Sequence, residues 1–431
     1  MTGLEGAIRG VIRDETPRSY LQPMVTNRRR LAASAIVALS VSALTLVGSG
    51  AASAAAPHAV SAYSAAASAH SPASTSASTP ASAQYSLPAP TGRYAAGEDV
   101  LHLTDASRLD PWNPSAGHRQ LTVSMLYPAR QGTGQPAPYM SAGEAANFVA
   151  LRVPPGFGVT ADAVAALQTH AFTGAKAAPG KFPLIVLSPG LENPRATLTS
   201  LATDLASRGY VVALVGHPYE DSGEQLADGS IAPCLWCGQS GPDPASNEQL
   251  VSSRAVDVKF VVDQLTGGHV WGLSHLIDKC AVGMAGHSVG GASAAAAMEA
   301  DPRIRAGVNM DGTFFPAVPA GGLGDRAFMM FGKQSDHSAG DAPDWDQTWA
   351  DLTGYKRWFA VDGEAHASFT DIAVLAEEAS MPVPGQSLDG FRSIQITRDY
   401  VAAFFDKALK GIPSPLMDGA SPAYPEVAAQ P

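Results

Sequence analysis

The first chemistry that the sequence suggests is that of a reactive serine. Residues 286–290 read Gly-His-Ser-Val-Gly, a G-x-S-x-G pattern. The apolar run Ala281–Ala285 before it predicts a strand, and the small residues after it predict the start of a helix. This context favours a strained strand-to-helix turn that presents Ser288 as a nucleophile; the alternative is a Gly-rich turn with an idle serine. The other residues expected to shape this nucleophile elbow are Gly286, His287 and Gly290.

A serine hydroxyl becomes a good nucleophile when a histidine takes its proton, and two histidines follow the motif in the chain. His366 comes just after the apolar run 357–361, in the loop before a predicted closing helix, where the base belongs in this order of elements. His337 lies among aspartates in the loop 336–346, and we expect it to be a solvated loop residue. The sequence therefore favours His366 as the base.

Two aspartates are placed to orient that histidine. Asp311 ends the apolar run 306–310, and Asp336 follows the next predicted strand, 327–331. A carboxylate shielded from water stabilises an imidazolium more strongly, which favours Asp311 over Asp336 in its polar, acidic loop. The sequence by itself therefore favours Asp311 as the acid and leaves Asp336 as the alternative.

The negative charge that develops on an ester oxygen needs two backbone N–H donors. One is expected to be Val289, the residue after the nucleophile. The other should come from the loop 188–193, which follows a buried apolar run. Pro189 has no N–H, so Leu191 is the preferred donor in this loop and Glu192 the next.

Strands alternate with helices along the chain, which predicts an α/β fold with a mostly parallel central sheet and helices on both faces. The predicted strands are 121–126, 182–187, 210–215, 281–285, 306–310, 327–331 and 357–361, and the predicted helices are 197–208, 247–265 and 394–410. Residues 141–176 break the alternation, with apolar residues scattered between Gly and Pro turns, and read as a small inserted subdomain at the sheet edge.

Composition narrows the function classes. The 431 residues carry a formal net charge of −11 and 45% hydrophobic residues, so the chain can bury a core and is a poor candidate for binding nucleic acid. Three cysteines exclude a disulfide scaffold. Cys234 and Cys237 are expected to form one small disulfide in an exported protein, and Cys280 a buried thiol. No metal or cofactor is expected; the acidic loop 336–346 is the weak candidate for Ca²⁺.

The N-terminal region predicts export. Within residues 1–56, the run Arg28-Arg29-Arg30 is followed by an apolar run and an A-x-A-like stretch, as in a signal peptide, and Met24 is a possible true start. Whether the arginines belong to a general or a twin-arginine signal stays open. Residues 57–92 are an Ala/Ser/Pro-rich linker, 93–410 the folded domain, and 411–431 a Pro/Ala-rich tail expected to be frayed.

Taken together, these residues resemble the secreted platelet-activating-factor acetylhydrolase family, which is related to bacterial lipases and dienelactone-hydrolase-like esterases. The segments that carry the resemblance are 182–191, 205–213, 286–291, 309–316 and 366–371. The resemblance implies the α/β-hydrolase fold, Asp311 over Asp336 as the acid, Leu191 and Val289 as oxyanion donors, and no cofactor. Family members cleave short or oxidised acyl chains from phospholipids. The loop 217–222 matches only in part, and 141–176 does not match.

The leading hypothesis is an exported serine carboxylic-ester hydrolase that uses Ser288, His366 and Asp311 on a small-molecule or lipid ester. Within enzymes, the alternative is a lipase- or cutinase-like hydrolase of triglycerides or polyesters. A non-catalytic surface binding protein on the same scaffold is the minor alternative, since all three residues of a triad are present. The insertion 141–176 is expected to gate an acyl chain or to touch a lipid surface transiently.

Overall fold

The computed structural model describes residues 85–238, 244–315 and 317–431. The predicted signal peptide 1–56 and residues 57–84 of the predicted linker lie outside the described residues. None of the helices in the described part of the chain is both long enough and apolar enough to cross a membrane.

The strands and helices follow one another along the chain in the predicted alternation. The strands are β1 Ala95–Leu109, β2 His118–Ala129, β3 Gln135–Pro136, β4 Ala171–Thr173, β5 Phe182–Ser188, β6 Val211–Val215, β7 Glu224–Gln225, β8 Ile231–Ala232, β9 Ile277–His287, β10 Ile304–Met310, β11 Ala327–Lys333, β12 Lys356–Val361 and β13 Val427–Ala429. The helices are α1 Ala142–Arg152, α2 Ala161–Ala165, α3 Thr199–Ser207, α4 Pro244–Gly267, α5 Val289–Ala300, α6 Pro343–Asp351, α7 Ile372–Glu378 and α8 Gly390–Lys410.

One large sheet organises the domain, with the strand order β13-β12-β11-β10-β9-β5-β6-β2-β1-β4-β3. The strands from β12 to β6 in this order run parallel to one another, whereas β2 is antiparallel to both β6 and β1. The parallel strands are nearly continuous apolar runs because both of their faces are covered. The predicted α/β class is confirmed.

Helices bury each face of this sheet in a separate apolar core. The first core joins one face to α4, α5 and α6 through side chains such as Val262, Met298 and Trp345. The second joins the other face to α3 and α8 through side chains such as Leu205 and Tyr400. The carboxyl ends of the parallel strands meet at one edge of this layered arrangement, which is where open α/β sheets bind ligands.

The predicted insertion 141–176 is part of the folded domain. Phe148 of α1 and Val164 of α2 are buried in a third core together with Tyr85 and Ile394. Helix α1 begins in a capping box, because the Ser141 side chain accepts the N–H of residue 144. Strand β4, near the C-terminal end of the insertion, pairs with β1, so the insertion ends inside the sheet.

The predicted boundaries of the folded domain are wrong at both ends. At the N-terminal side, Tyr85 and Leu87 are buried, and the Thr91 N–H donates to the Asp204 carboxylate over 2.8 Å, so residues 85–92 are not linker. The tail 411–431 is not frayed, because β13 pairs with β12 and Val427 is buried. The prediction of a frayed tail rested on composition. The edge strand β12 offers unpaired N–H and C=O groups, and even an Ala-rich segment such as β13 can pair with them.

Candidate active site

Ser288 occupies the turn from β9 into α5 with φ 57° and ψ −124°, a conformation that non-glycine residues adopt only at a cost. The turn is tight because the chain segments around it nearly touch. A Cβ atom on Gly290 would lie 2.1 Å from the Ser188 carbonyl oxygen, and one on Gly286 would lie 2.2 Å from the Gly290 carbonyl group. Both flanking glycines are therefore sterically required, and the serine sits at the N-terminus of α5.

Asp311 and His366 are brought together from positions 55 residues apart in the chain. Asp311 follows β10 directly with φ 58°, and its side chain is fully buried. The His366 Nδ1–H donates to Asp311 Oδ2 over 2.6 Å, and the Lys333 N–H donates to Oδ1 over 2.8 Å. The His366 ring is half exposed, so its other nitrogen can face a substrate.

Asp336 and His337, the alternative acid and the alternative base in the loop 336–346, do not form such a pair. The Asp336 carboxylate is 53% exposed and pairs with Lys333 Nζ over 2.6 Å. His337 is not the solvated residue expected from the sequence: it is buried, stacks on Trp345 with ring centroids 4.0 Å apart, and places Nε2 3.4 Å from Asp311 Oδ1. Burial lowers the pKa of His337, so a neutral second imidazole lines the far side of Asp311.

His287, the residue between Gly286 and Ser288, links the elbow to the loop of His366. Its Nε2–H donates to the His366 carbonyl oxygen over 2.6 Å, and the two rings are 4.6 Å apart. Burial, with the nearby His366 ring, lowers the pKa of His287 to about 3, so it is neutral near pH 7. His287 therefore ties the backbone of His366 to the residue that precedes Ser288, and it does so without adding charge.

The loop after β5 lies against the elbow and has one free donor at the predicted position. The Glu192 N–H donates to the Glu220 carbonyl oxygen over 2.8 Å, which removes Glu192 as the alternative oxyanion donor. Within the described chain the Leu191 N–H donates to no other group. Val289 is the first residue of α5, where backbone N–H groups have no partner inside the helix. The two predicted donors, Leu191 and Val289, are thus both available.

A disulfide loop packs on the outer side of this region. Cys234 and Cys237 are joined, and the Gly238 N–H that follows donates to Glu192 Oε1 over 2.9 Å. From the opposite side, Arg152 of α1 pairs with the other Glu192 oxygen over 2.5 Å. Glu192 therefore ties both the insertion and the disulfide loop to the loop that carries Leu191. The third cysteine, Cys280, is exposed and not the buried thiol predicted, because it precedes the apolar part of β9.

The arrangement of acidic groups does not fit a metal ion. Among the described residues, His217, Glu220 and Asp257 form the one group whose potential ligand atoms lie within 4.8 Å of one another. Arg119 bonds both of these carboxylates, over 3.2 and 2.8 Å, and Arg254 bonds Glu220 over 2.6 Å. A cation there would face two guanidinium charges.

Two carboxylates of the acidic loop, the weak Ca²⁺ candidate, accept backbone hydrogen bonds. Asp344 accepts the Phe314 N–H over 3.0 Å, and Asp346 accepts the Gly340 N–H over 3.0 Å. Among the described residues, the carboxylates of this loop belong to no group of three or more potential ligands that lie close together.

Known proteins match this architecture. A sequence profile of the family described as platelet-activating factor acetylhydrolase, isoform II, matches residues 150–223 and 253–410. The chain belongs to this family. A probable 1-alkyl-2-acetylglycerophosphocholine esterase of Arthroderma benhamiae is 26% identical over 378 residues, which cover 78% of this chain and 92% of the relative. The platelet-activating factor acetylhydrolase of Bos taurus is 27% identical over 184 residues, 35% of this chain and 38% of the relative.

One solved structure is similar over its whole length. The ferulic acid esterase from Streptomyces cinnamoneus superposes with a TM-score of 0.72 and 41% sequence identity, covering 81% of this chain and 100% of that chain. Family membership and the similarity to named esterases confirm the predicted family and enzyme class, and the chain is a carboxylic ester hydrolase.

Sequence reasoning missed two features of the site. The role of His287 was not inferred, although its place inside the G-x-S-x-G motif marked it as adjacent to the nucleophile. The contact of His337 with Asp311 had no signal, because polar residues around it suggested a solvated loop. Both contacts depend on which strand ends are neighbours in the sheet, and a linear sequence does not give that order.

Proposed function

We propose that the chain hydrolyses carboxylic esters through an acyl-enzyme on Ser288, with His366 as the base and Asp311 as the residue that orients it. The observation that carries this proposal is the 2.6 Å hydrogen bond between His366 Nδ1 and the buried Asp311 carboxylate. Ser288, in its strained elbow, donates its backbone N–H over 2.8 Å to Met310, the residue before Asp311. The hydrogen bond from His366 to Asp311 fixes the tautomer in which His366 Nε2 is free to accept a proton.

In the first half of the reaction, Ser288 Oγ attacks the ester carbonyl carbon while His366 Nε2 takes the hydroxyl proton. The carbonyl oxygen becomes an oxyanion, which the N–H groups of Leu191 and Val289 stabilise. The buried Asp311 carboxylate stabilises the imidazolium that forms. When the tetrahedral intermediate collapses, the ester C–O bond breaks and His366 gives its proton to the departing alcohol.

In the second half, water replaces the alcohol. His366 Nε2 takes a proton from the water as its oxygen attacks the acyl carbon, and the same two N–H groups hold the new oxyanion. The bond from the acyl carbon to Ser288 Oγ breaks, Oγ regains a proton from His366, and the carboxylic acid leaves. No cofactor takes part in this proposed cycle.

The substrate class that we favour is short acyl esters, including the sn-2 acetyl group of phospholipids. The family profile and the Arthroderma benhamiae relative support it. A second candidate is an ester of ferulic acid, which the 41% identity to the Streptomyces cinnamoneus esterase favours. Triglycerides and polyesters, the lipase-like alternative, have no such relative among these matches.

The setting that we propose is outside the cell, with a small-molecule or lipid ester as partner. The signal-peptide pattern in residues 1–56 supports export. Leu151 and Phe157, at and just after the end of α1, are 56% and 37% exposed, which supports transient contact with a lipid surface.

The deciding experiment compares esters that differ in the acyl group. We expect wild-type protein to hydrolyse p-nitrophenyl acetate and 1-alkyl-2-acetylglycerophosphocholine faster than p-nitrophenyl palmitate, with methyl ferulate testing the second candidate. Ser288→Ala should lose activity on every substrate, by about 10⁴-fold or more. The matched control is Ser293→Ala in the same helix, whose hydroxyl only bonds the Val289 carbonyl, and it should stay active. Full activity in Ser288→Ala would overturn the proposal.

A further inference from the structure

Behind the loop that carries Leu191 lies a second Ser-His-Asp set, made of Ser188, His217 and Asp257. The Ser188 hydroxyl donates to His217 Nε2 over 2.9 Å, and His217 Nδ1–H donates to Asp257 Oδ2 over 2.8 Å. The three residues are between 0% and 1% exposed, so no ester can reach the Ser188 oxygen. Any role of these three residues must therefore lie in holding the protein's own structure.

The protonation of the set is fixed by its surroundings. Burial, together with the charge of Arg254, lowers the pKa of His217, so its ring is neutral and Nε2 accepts from Ser188. Burial alone would raise the pKa of the Asp257 carboxyl, but Arg119 and the hydrogen bond from His217 hold it well below its usual range. Each hydrogen bond in the set therefore has one possible direction.

Two further contacts hold the same loop. Arg254 Nη1 donates to the Pro189 carbonyl oxygen, while its Nε donates to Glu220 Oε2 over 2.6 Å. The Glu220 carbonyl oxygen accepts the Glu192 N–H over 2.8 Å. The loop is thus anchored at Ser188, Pro189 and Glu192, on both sides of Leu191, by groups from the 217–220 turn and α4.

Charged groups surround these anchors. Three guanidinium groups, of Arg108, Arg119 and Arg254, face four carboxylates, of Asp105, Asp110, Glu220 and Asp257. A buried ionic network of this kind costs more to bury than an apolar core of the same volume, so it is poorly explained as a source of stability. It gives direction and rigidity to the backbone that it contacts.

We propose that His217 and Arg254 are positioning residues for the reaction, which hold the Ser188–Pro189 backbone so that the Leu191 N–H points at the oxyanion. The inference rests on the proposed function, in which Leu191 is an oxyanion donor. The Ser188 carbonyl oxygen packs so closely on Gly290 that a Cβ atom on Gly290 would lie 2.1 Å from it. The loop 188–193 is therefore in direct contact with the nucleophile elbow. Preorganised donors stabilise an oxyanion most when they need not move.

Two variants loosen the anchors without removing a residue that touches substrate. Ser188→Ala removes the hydroxyl that reaches His217, and Arg254→Lys keeps the buried positive charge beside Glu220 but cannot bridge to Pro189 at the same time. The matched control is Ser207→Ala in α3, a buried serine whose hydroxyl bonds the Asp204 carbonyl and the Gly92 N–H.

The readouts separate positioning from stability. With p-nitrophenyl acetate, both variants should lose about 10- to 100-fold in kcat per folded molecule, with KM within about threefold of wild type. An aryl trifluoromethyl ketone is the second probe, because Ser288 Oγ adds to its carbonyl carbon and the former carbonyl oxygen takes the negative charge. Its Ki should rise by the same factor as kcat/KM falls, while Ser207→Ala should match wild type in both.

The outcomes distinguish this inference from the proposed function. Wild-type kcat and Ki in Ser188→Ala, with only a lower Tm, would overturn the positioning role while Ser288→Ala remains inactive. Activity retained in Ser288→Ala would overturn the proposed function itself. If Arg254→Lys is not recovered as folded protein, Ser188→Ala decides alone, because it deletes one oxygen atom.

Discussion

The Asp311 carboxylate receives hydrogen bonds from two sides, from the His366 ring and from the Lys333 backbone. Because the carboxylate is buried, water does not weaken its field at the imidazole. Asp336, three residues beyond the end of β11, is exposed and pairs with Lys333 at the surface. At the scale of single residues, burial is what separates these two aspartates.

Asp311→Asn should therefore lower kcat far more than Asp336→Asn. The amide leaves the Lys333 N–H satisfied but no longer holds His366 in the productive tautomer, and the expected loss in kcat is about 10³- to 10⁴-fold. Asp336→Asn is the matched control and should stay within about twofold. Hydrolysis of p-nitrophenyl acetate at saturation measures both, and equal losses in the two variants would contradict the assignment of Asp311.

At the scale of elements, α1 and the residues just after it carry two exposed apolar side chains near the loop 188–193. Arg152 of this helix pairs with Glu192, which fixes the helix end next to Leu191. Leu151 and Phe157 on either side of that pair are exposed, whereas Phe148 and Val164 of the same insertion are buried. The insertion thus has an inner face that belongs to the third core and an outer face that is free to meet a lipid.

The double variant Leu151→Ser, Phe157→Ser should bind phosphatidylcholine vesicles at least about threefold more weakly than wild type, because it removes exposed apolar area. Its kcat/KM on soluble p-nitrophenyl acetate should be unchanged. Ile412→Ser, at an exposed residue just after α8, is the control and should bind vesicles as wild type does. A vesicle co-sedimentation assay with unchanged binding in the double variant would remove lipid contact from the proposed function.

At the scale of the whole molecule, buried titratable groups set how stability depends on pH. The pKa of His287 is about 3 in the folded chain against an ordinary 6.5, because burial disfavours its charged form. Between these two pH values the unfolded chain binds a proton that the folded chain does not, so the free energy of unfolding falls as pH drops through this window.

His287→Gln should remove this part of the pH dependence while keeping an N–H for the His366 carbonyl. The wild-type protein should lose about 2 kcal/mol more than the variant between pH 7 and pH 5, since each pH unit in the window is worth about 1.4 kcal/mol. Urea unfolding at both pH values measures the difference. His269→Gln, at an exposed histidine, is the control, and a variant curve parallel to wild type would refute the prediction.

Much of the fold was predictable because its signals are local. Apolar runs predicted the parallel strands, and the elbow motif lies directly after a predicted strand, β9, as expected. Strand β1 was missed because its alternation of exposed and buried residues spans a long, polar sequence. Strand β13 was missed because its pairing partner, β12, lies more than 60 residues earlier in the chain.

The sequence by itself determined the residue types and their order: a serine between glycines, an aspartate after the next strand and a histidine after the last one. Only the tertiary structure decided which aspartate meets the histidine, that His287 and His337 lie against this pair, and that Arg254 reaches the Pro189 carbonyl. The physical reason is that hydrogen bonds and burial depend on distances between strand ends and helices that are far apart in the chain, and those distances exist only once the sheet order and the layers are formed.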